Sequence, residues 1–360
     1  MNLRKLFQKS ESLVSVDIGS GSVKIVELDL SGAKPRLVNI AISPLSADIF
    51  TNNTITKPEK VSEKIAALLE SNSINDKRAA TAMPGPSVFT KKIKMPKLAM
   101  AELSNSVQFE AGNFIPHNVD AVKLDFHVIG EAGKNQLDIL VVAVKNEIIE
   151  SFVNTLALAG LETAVVDVDY FALQNVFELG YPELLSNTVA LVNIGTRHSS
   201  INICRNGESL FTGNISLGGK QFTDAIAEGL GVQPSEAEDL KRNRHSNKTL
   251  QDAVQDIMDR NIEYVAGEFN RQLSFFWNAS GADEGIDKIV LTGGGSLVPG
   301  LIEELAEKIG IECMMLDPFK GIECGSNVDQ AFLKEISSTM SVCVGMGLRQ
   351  PGDKEIPDYL

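Results

Sequence analysis

The sequence predicts an α/β fold made of two similar halves, each with the element order β-β-β-α-β-α, and a small α+β lobe inserted into the first half. Three observations carry this prediction. The chain opens with three strand-like runs, a similar set of three runs recurs from residue 188, and a segment with a different pattern, residues 83–160, interrupts the first half. A repeat of this kind indicates an internal duplication.

The first half begins with three strands and continues with a helix and a fourth strand. The runs "LVSVDIG" and "SVKIVELDL" alternate apolar and other residues with the period of two that is typical of strands, and "KPRLVNIAIS" follows as a third. In "KPEKVSEKIAALLESNS", Val61, Ile65, Leu68 and Leu69 share one face, which predicts an amphipathic helix. "KRAATAMP" is the next strand, and "TAVVDVD" and "YFALQNVFELG" complete this half as a strand and a helix.

The inserted segment has its own order, β-α-β-β-α. Its successive runs are "SVFTKKIKMP", "MAELSNSVQFEAGNF", "AVKLDFHVIGE", "NQLDILVVAVK" and "NEIIESFVNTLALAG". A sheet of three strands with two helices is enough to form a small lobe with a core of its own.

The second half repeats the opening pattern. "TVALVNIGTRHSSINICRNGESLFTGNIS" predicts three strands, and its turn Asn193-Ile194-Gly195 corresponds to Asp17-Ile18-Gly19 of the first half. Helices are predicted over 218–231, 235–243 and about 249–280; Ser235 should cap the second of these, with Glu238 completing a capping box. A strand, a glycine turn and a helix follow over 287–310, then a short strand over 311–318 and one last helix over 328–350.

These elements predict four structural units and a tail. The expected ranges are 1–82 with 161–187 for the first half, 83–160 for the inserted lobe, 188–222 with 285–350 for the second half, 223–284 for a helical subdomain, and 351–360 for a polar tail.

Composition restricts the classes of protein to consider. The chain has 360 residues, 43% of them hydrophobic, a net charge of −14 and a pI near 4.9. An acidic chain of this kind argues against a nucleic-acid-binding protein, which normally presents a basic face. No apolar run approaches the ~20 residues of a membrane-spanning helix, and no secretory signal is expected from the first residues. We therefore expect a cytoplasmic protein.

The first ten residues, "MNLRKLFQKS", leave two interpretations open. Arg4, Lys5 and Lys9 carry positive charge, while Leu3 and Phe7 lie at helical spacing with Leu6 beside them. The segment could be a short basic amphipathic turn that contacts a membrane surface or a partner, or it could simply be a frayed start of the chain.

Three glycine turns, at 19–22, 218–219 and 293–295, lie at a strand end or a helix start. Glycines there allow backbone N–H groups to approach an anion closely. A single such turn is equally compatible with a plain hairpin, but three of them, two in matching repeats, favour a phosphate site. Neither of the common phosphate motifs, G-x-x-x-x-G-K-[ST] or G-x-G-x-x-G, is present, which argues against a P-loop or Rossmann protein.

Several of these motifs resemble those of a known superfamily. "DIGSGSVK" at 17–24 resembles the first phosphate motif of the actin, chaperone and FtsA superfamily, and "KIVLTGGGSLVPGLIEELAEKIGI" resembles its adenosine motif. "ISLGGKQFTDAIAEGLG" followed by "AEDLK" looks like the segment that closes over phosphate and ribose. The inserted lobe lies where FtsA has its lobe, and the sequence of the lobe is similar to that of the PilM family of type IV pilus assembly. The resemblance implies an actin-like, ribonuclease H-like duplicated fold with an FtsA-type lobe.

The resemblance also implies a nucleotide site that binds ATP and Mg²⁺. In this reading Asp17 would hold Mg²⁺ through water, Lys24 would neutralise phosphate charge, and Glu238 and Lys241 would contact ribose and base. The implied contacts to phosphates and adenosine are Gly19, Ser20, Gly21, Ser22, Gly195, Thr196, Gly218, Gly219, Lys220, Gly293, Gly294, Gly295 and Ser296.

One position departs from the superfamily pattern. The second phosphate turn of the superfamily usually carries Asp, whereas this chain has Asn193, followed by Gly195, Thr196, Arg197 and His198. An amide cannot act as a general base or hold Mg²⁺ as a carboxylate does. We therefore expect binding without brisk hydrolysis, at most a weak ATPase. Asp169 and Gln174 match the position of a water-orienting residue only loosely.

The PilM resemblance implies a scaffold at the inner face of the inner membrane. Such a protein would bind the N-terminal cytoplasmic tail of the membrane protein PilN in a groove between the lobe and the first half, with Val88, Phe89 and Ile93 as candidate walls, and would connect the inner-membrane alignment complex to pilus motor ATPases. A homo-oligomer is compatible with this reading. The alternatives are a secretion-system homologue, an FtsA-like membrane-tethered homologue and a sugar-kinase-type phosphotransferase; the absence of a basic amphipathic tail and the presence of Asn193 weigh against the last two.

Overall fold

The computed structural model describes residues 13–116, 118–243, 248–280, 285–325 and 328–353. The basic turn predicted over the first ten residues and most of the predicted tail lie outside these ranges. Within the described residues, no helix has both the length and the apolar character that crossing a bilayer would require.

Sixteen strands and ten α-helices make up the described part of the chain. The strands are β1 (Val14–Ile18), β2 (Ser22–Asp29), β3 (Arg36–Pro44), β4 (Phe50–Thr51), β5 (Thr54–Ile55), β6 (Arg78–Met83), β7 (Val88–Pro96), β8 (Val122–Glu131), β9 (Gln136–Lys145), β10 (Glu162–Val168), β11 (Val189–Ile194), β12 (Ser199–Arg205), β13 (Glu208–Ile215), β14 (Lys288–Thr292), β15 (Cys313–Met315) and β16 (Glu323–Cys324). The helices are α1 (Pro58–Ser71), α2 (Met100–Ala111), α3 (Asn146–Leu158), α4 (Asp169–Gly180), α5 (Gly219–Leu230), α6 (Pro234–Arg242), α7 (Lys248–Ser280), α8 (Leu301–Ile309), α9 (Gln330–Ile336) and α10 (Ser341–Gly347).

Two large sheets share a topology of five strands, which confirms the predicted duplication, and the first sheet has one further strand, β16, beside β3. The first has the order β10-β6-β1-β2-β3-β16 and the second the order β13-β12-β11-β14-β15. In each, the three opening strands form an antiparallel meander, and two later strands add in parallel beside the first of the three. The central strands β1 and β11 are almost completely buried, as expected for strands covered on both faces.

Helices α4 and α10 pack between the two sheets. Their side chains join apolar residues of both sheets in one core, with Leu28 from the first sheet and Leu191 from the second. The two helices cross so closely that a Cβ atom on Gly345 would lie 1.8 Å from the carbonyl oxygen of Ala172. This contact fixes how near the helices approach each other.

The outer faces of the sheets carry the remaining cores. Helices α1 and α3 cover the first sheet, and α5, α6, α7 and α8 cover the second. The inserted lobe has a three-stranded sheet of order β7-β9-β8, with α2 packed on it over Leu103, Val107 and Leu137. Strand β7 also reaches the second half, where the hydroxyls of Thr90 and Thr212 lie 2.8 Å apart.

Two sequence expectations about helices were wrong. The predicted continuous helix over 328–350 is divided into α9 and α10 by a short 3₁₀ turn, Ser337–Thr339, whose Ser338 carbonyl accepts hydrogen bonds from the backbone N–H of Gly293 and the hydroxyl of Thr292. Helix α6 begins at Pro234, with Gln233 in the capping position, so Ser235 is not a cap. The proline fixes a helical backbone angle at residue 234, two residues before the first helical residue that a cap at Ser235 would give.

Candidate functional site

The first glycine turn connects β1 and β2 in a tight hairpin. The backbone N–H of Gly19 donates to the carbonyl of Ser22 at 3.0 Å, and Asp17 faces Lys24 across the two strands. The Lys24 ammonium lies 2.7 Å from Oδ2 of Asp17, and the two side chains are only 11% and 17% exposed. The turn therefore places one carboxylate and one ammonium together in a sheltered position.

The second glycine turn connects β11 and β12 with the same geometry. The backbone N–H of Gly195 donates to the carbonyl of His198 at 3.1 Å, as that of Gly19 does to Ser22. In the register positions that Asp17 and Lys24 hold in the first half, the second half has Asn193 opposite Ser200. The two turns are thus equivalent in backbone and different in charge.

The two turns meet across the gap between the halves. A Cβ atom on Gly21 would lie 2.3 Å from Oγ1 of Thr196, so only glycine fits there without displacing the threonine. Gly21 of the first half and Thr196 of the second half, both predicted to contact phosphate, therefore lie next to each other.

The remaining glycine turns pack backbone against backbone around the second turn. Cβ atoms at Gly218, Gly293 and Gly295 would each approach within 2.4 Å of an atom of Asn193, Ile194 or Gly195. The backbone N–H groups of Gly219 and Lys220 donate to the carbonyls of Gly195 and Thr196, both at 2.8 Å. The sequence predicts that Gly219 and Lys220 contact the nucleotide; in the structure their backbone N–H groups hold the second turn in place.

Two predicted contact residues have partners of their own. The Ser296 side chain is buried and its hydroxyl donates to the carbonyl of Gly293 at 2.6 Å, closing a short 3₁₀ turn over Gly294–Leu297. The Lys220 ammonium pairs with Asp224 on the exposed side of α5. In this arrangement Ser296 shapes the turn that the sequence predicts to contact adenosine, and Lys220 pairs with a residue one turn along its own helix.

Glu238 and Lys241 form a network that connects α6 to the start of α5. The Lys241 ammonium donates to Oε2 of Glu238 at 2.6 Å, to the Thr223 hydroxyl at 2.9 Å and to the carbonyl of Gly219 at 3.1 Å. Burial alone raises the pKa of Glu238, but hydrogen bonds from Lys241, Thr223 and Arg242 outweigh it and hold the pKa below 4.5. Glu238 is therefore ionised at neutral pH and serves this network, in place of the predicted capping box.

Asp169 is a half-buried acid next to both turns. It is the first residue of α4, its Oδ1 is enclosed, and the hydroxyl of Ser200 in the second half lies close enough to lower its pKa. Burial raises the pKa of Asp169 to about 7; the backbone N–H groups of Gly85 and Tyr170 oppose the rise, and the negative charge of Asp17 adds to it. A carboxyl with these properties can exchange a proton near neutral pH.

The other residues that the sequence placed loosely in this region have different roles. Gln174 accepts a hydrogen bond from Asn202 and donates to Glu178 and to the carbonyl of Gly207, which fixes α4 to the second sheet away from the turns. His198 is half-buried; burial, and then the charge of Arg197, lowers its pKa, so the imidazole is neutral at pH 7.

The donor groups at these turns are suited to a nucleotide with Mg²⁺. Two glycine turns face each other beside Lys24, and the carboxyl of Asp169 and the hydroxyl of Ser200 lie close by. Within the described residues, no group of three or more His, Cys, Asp and Glu side chains could hold a metal directly.

A second concave region lies between the inserted lobe and the first half. This lobe cleft has a volume of about 350 Å³ and includes Val88 and Phe89 of β7, Ile115, Val122, Ile148, and the loop residues Asn52 and Asn53. It continues through Pro116 and Lys145 into a neighbouring hollow of about 540 Å³. Val88 and Phe89 line the cleft, whereas Ile93 packs against the core of the lobe.

The contribution of Asn52 and Asn53 to the cleft was not predicted from the sequence. They connect the two-residue strands β4 and β5, and both have left-handed backbone angles, with φ of 49° and 64°. Two such residues in succession form the type I′ turn that joins closely paired strands, and asparagine tolerates this conformation. The pair Asn-Asn between short apolar runs was the available signal.

Comparisons with known proteins agree with this architecture. The family model described as type IV pilus assembly protein PilM matches residues 15–351. A structure of a PilM–PilN type IV pilus biogenesis complex is 25% identical over 94% of this chain and 98% of its own, with a TM-score of 0.82.

Two further solved structures share the fold at lower identity. The ethanolamine utilization protein EutJ from Carboxydothermus hydrogenoformans is 15% identical, with 94% and 89% coverage and a TM-score of 0.55. MreB5 of Spiroplasma citri bound to AMPPNP is 12% identical, with 94% and 95% coverage and a TM-score of 0.50. Together with the sheet topology, these matches confirm the predicted actin-like fold.

Proposed function

The chain belongs to the family of type IV pilus assembly protein PilM, and from this premise we propose that it is an ATP-binding scaffold that holds the N-terminal cytoplasmic tail of the membrane protein PilN. The structure that is 25% identical to this chain pairs a PilM with a PilN, which supports the choice of partner. Because the partner would supply the membrane anchor, we place the scaffold in the cytoplasm at the inner face of the inner membrane.

The lobe cleft is the observation that carries this proposal. Its lining is mainly apolar, with Val88, Phe89, Ile115 and Val122 from the lobe and Ile148 from α3, and it also includes polar residues such as Asn52, Asn53 and Lys145. The cleft and the hollow that continues it form an elongated depression, about 350 and 540 Å³, which suits an extended peptide more than a compact metabolite. Apolar side chains of the PilN tail would enter the cleft, and the backbone of the PilN tail would lie at its edge.

The paired turns support nucleotide binding. The turn at Gly19, Ser20, Gly21 and Ser22 and the turn at Gly195 and Thr196 would hold the terminal phosphates between them, with Lys24 neutralising charge. Mg²⁺, held through water at Asp17, would supply further positive charge to the phosphates. The glycines at 293–295 would lie against adenosine, and Glu238 and Lys241 would turn part of their network toward the ribose.

Hydrolysis is proposed to be weak. Asn193 holds the place where the first half has Asp17, so the second half lacks a carboxylate at the equivalent register position. Asp169 is the remaining acid beside both turns, but with a pKa of about 7 it is only partly ionised at neutral pH. The nucleotide would therefore regulate the scaffold, which would connect the membrane alignment complex to the pilus motor ATPases.

A peptide-binding experiment tests the partner. We would measure, by fluorescence anisotropy, binding of a labelled synthetic peptide of the PilN N-terminal tail from the same organism to the full chain. Val88→Glu places a charge on the cleft wall and should weaken binding at least tenfold. The matched control is Val166→Glu on the edge strand β10, where the valine is already 41% exposed, and it should leave binding unchanged. Absence of binding to the unmodified chain, or equal loss in both variants, would contradict the proposal.

A calorimetric titration with Mg²⁺-ATP tests the nucleotide. Binding should raise the melting temperature, because a ligand that binds only the folded state stabilises it. Lys24→Met should reduce the affinity, and phosphate release should stay near background for the unmodified chain. No heat of binding and no thermal shift would refute the nucleotide site, while rapid phosphate release would refute the inference from Asn193.

A further inference from the structure

One face of α7 carries two large aromatic side chains that the rest of the described chain leaves exposed. Tyr264 is 53% exposed and Phe275 is 51% exposed, while Val265, Phe269 and Leu273 on the opposite face are buried in the core of the second half. The other five exposed large hydrophobic residues among those described lie on five different elements. Isolated apolar residues are ordinary on a protein surface, whereas grouped ones mark a contact surface.

Two charged residues lie between the aromatic ones and complete a line along the helix. Residues 264, 268, 271 and 275 are spaced by four, three and four positions, which places their side chains on one face. We call Tyr264, Glu268, Arg271 and Phe275 the α7 stripe. Within it the Arg271 guanidinium donates to Oε2 of Glu268, at 2.6 Å from Nη2 and 3.1 Å from Nε, and remains more than half exposed. The stripe therefore offers a partner both apolar area and a fixed pair of opposite charges.

The α7 stripe is symmetric about the point midway between residues 269 and 270. Rotation of a second copy about a two-fold axis through that point brings its α7 antiparallel to the first. Tyr264 then faces the second copy's Phe275, and Glu268 faces the second copy's Arg271. A two-fold interface must be complementary to itself in this way, because each residue pair occurs twice.

We propose that two copies of this chain associate through the α7 stripe, with the two helices antiparallel. The aromatic rings pair at both ends of the contact, and the two Glu268–Arg271 pairs join in a network of alternating charge in the middle. A parallel arrangement would place Glu268 against Glu268 and Arg271 against Arg271, and like charges at contact distance oppose association. Tyrosine and arginine are also enriched among the residues that dominate the binding energy of interfaces.

The acidic first part of α7 is compatible with this arrangement. Asp252 and Asp256 are exposed, and the chain has a net charge of −14, so two copies repel each other at long range. Because α7 ends at Ser280, an axis between residues 269 and 270 places Asp252 and Asp256 beyond the end of the other copy's helix. A contact of one helix pair buries less than the ~1,200 Å² of a stable complex, so we expect a weak dimer that forms as concentration rises.

Sedimentation velocity of the full chain, over about two decades of concentration, measures this association. The sedimentation coefficient of the unmodified chain should rise with concentration. Arg271→Glu should raise the dimer Kd at least about tenfold, because it brings only carboxylates together at the centre of the contact. The matched control is Arg36→Glu, which makes the same change of charge, breaks a similarly exposed ion pair with Asp29 and should leave the dimer Kd unchanged.

A mixture of two variants tests the antiparallel register. Glu268→Arg alone should also raise the dimer Kd at least about tenfold, because it brings only guanidinium groups together. When Glu268→Arg and Arg271→Glu are mixed, every contact between the two copies again joins a carboxylate to a guanidinium, so association should return. A purely structural role of the ion pair within one helix would give no such recovery.

The outcomes are decisive in either direction. An unmodified chain that stays monomeric at every concentration overturns the dimer, and so does an unchanged dimer Kd in Arg271→Glu. A mixture that associates no better than its components overturns the antiparallel register. Circular dichroism checks the folding of each variant; if a charge variant loses its helical signal, Phe275→Ser takes its place, and an unchanged dimer Kd there also overturns the proposal. Neither peptide nor nucleotide is present in these measurements, so a negative result would leave the proposed function intact.

Discussion

Substitution of Gly345 by alanine tests the packing of α4 and α10 between the two sheets. The added Cβ atom would lie 1.8 Å from the carbonyl oxygen of Ala172, and real Cβ contacts are essentially never shorter than 3.0 Å. The helices must therefore separate by about 1.2 Å or more. Because the opposing atom belongs to the backbone, no side-chain rotation can relieve the clash.

The magnitude follows from two opposing terms. Overpacking of a well-packed core costs typically about 1–3 kcal/mol, and a clash between two helix backbones should lie at the upper end of that range. Alanine is favoured over glycine inside a helix by about 1 kcal/mol, which offsets part of the loss. The expected decrease in the free energy of unfolding is therefore about 2 kcal/mol.

Urea unfolding followed by circular dichroism measures this decrease. The matched control is Gly267→Ala in α7, where the nearest atom to the new Cβ, Cε of Lys308, would be at an ordinary 3.7 Å. The control should be neutral or up to about 1 kcal/mol more stable, since only the helix preference changes. Equal stability of Gly345→Ala and the unmodified protein would show that the two helices do not pack as described.

Three further predictions concern the candidate site. Gly21→Ala should weaken Mg²⁺-ATP binding about fivefold or more in calorimetry, because the new methyl group pushes Thr196 into the phosphate position. Adding Thr196→Ala should recover part of this loss of affinity. Additive effects of the two substitutions would contradict contact between the turns. Asp169→Asn should flatten the pH dependence of the melting temperature. A carboxyl whose pKa is raised to about 7 in the folded state lowers the stability of that state progressively as pH rises from about 4 to 7, and the amide cannot do so. An unchanged slope of melting temperature against pH would refute the enclosure of this carboxyl. Lys241→Met should lower the free energy of unfolding by about 1–2 kcal/mol in urea titrations, because it breaks a sheltered network, while Lys220→Met, which removes only an exposed pair, should change it by less than about 0.5 kcal/mol.

The sequence predicted the fold well where a pattern repeats. The alternation in β1 and β2 and its recurrence in β11 and β12 indicated two equivalent sheets, and the turns at Gly19 and Gly195 have the same backbone hydrogen bond. The strands β4 and β16 have two residues each, too few for any period to be visible. They form because neighbouring parts of the fold supply their partners.

The contacts of the predicted site residues could not be read from motifs alone. Ser235 and Glu238 have the spacing of a capping box, but Pro234 moves the helix start and a lysine one turn later takes the carboxylate. The contact of Arg197 with the carbonyl of Phe50 joins residues 147 positions apart. Such pairings depend on how the two halves face each other, which no local pattern encodes.

The position of α10 has a consequence for biosynthesis. The thiol of Cys343 lies 3.5 Å from the carbonyl of Ser15, 328 residues earlier, and α10 fills the inner face of the first sheet next to β1 and β2. At a synthesis rate of about 5–20 residues per second, that sheet would wait on the order of half a minute for the helix that covers it. During this interval apolar residues such as Val26 and Leu28 remain without their final cover, so the early chain should depend on a chaperone or on transient contacts with α4.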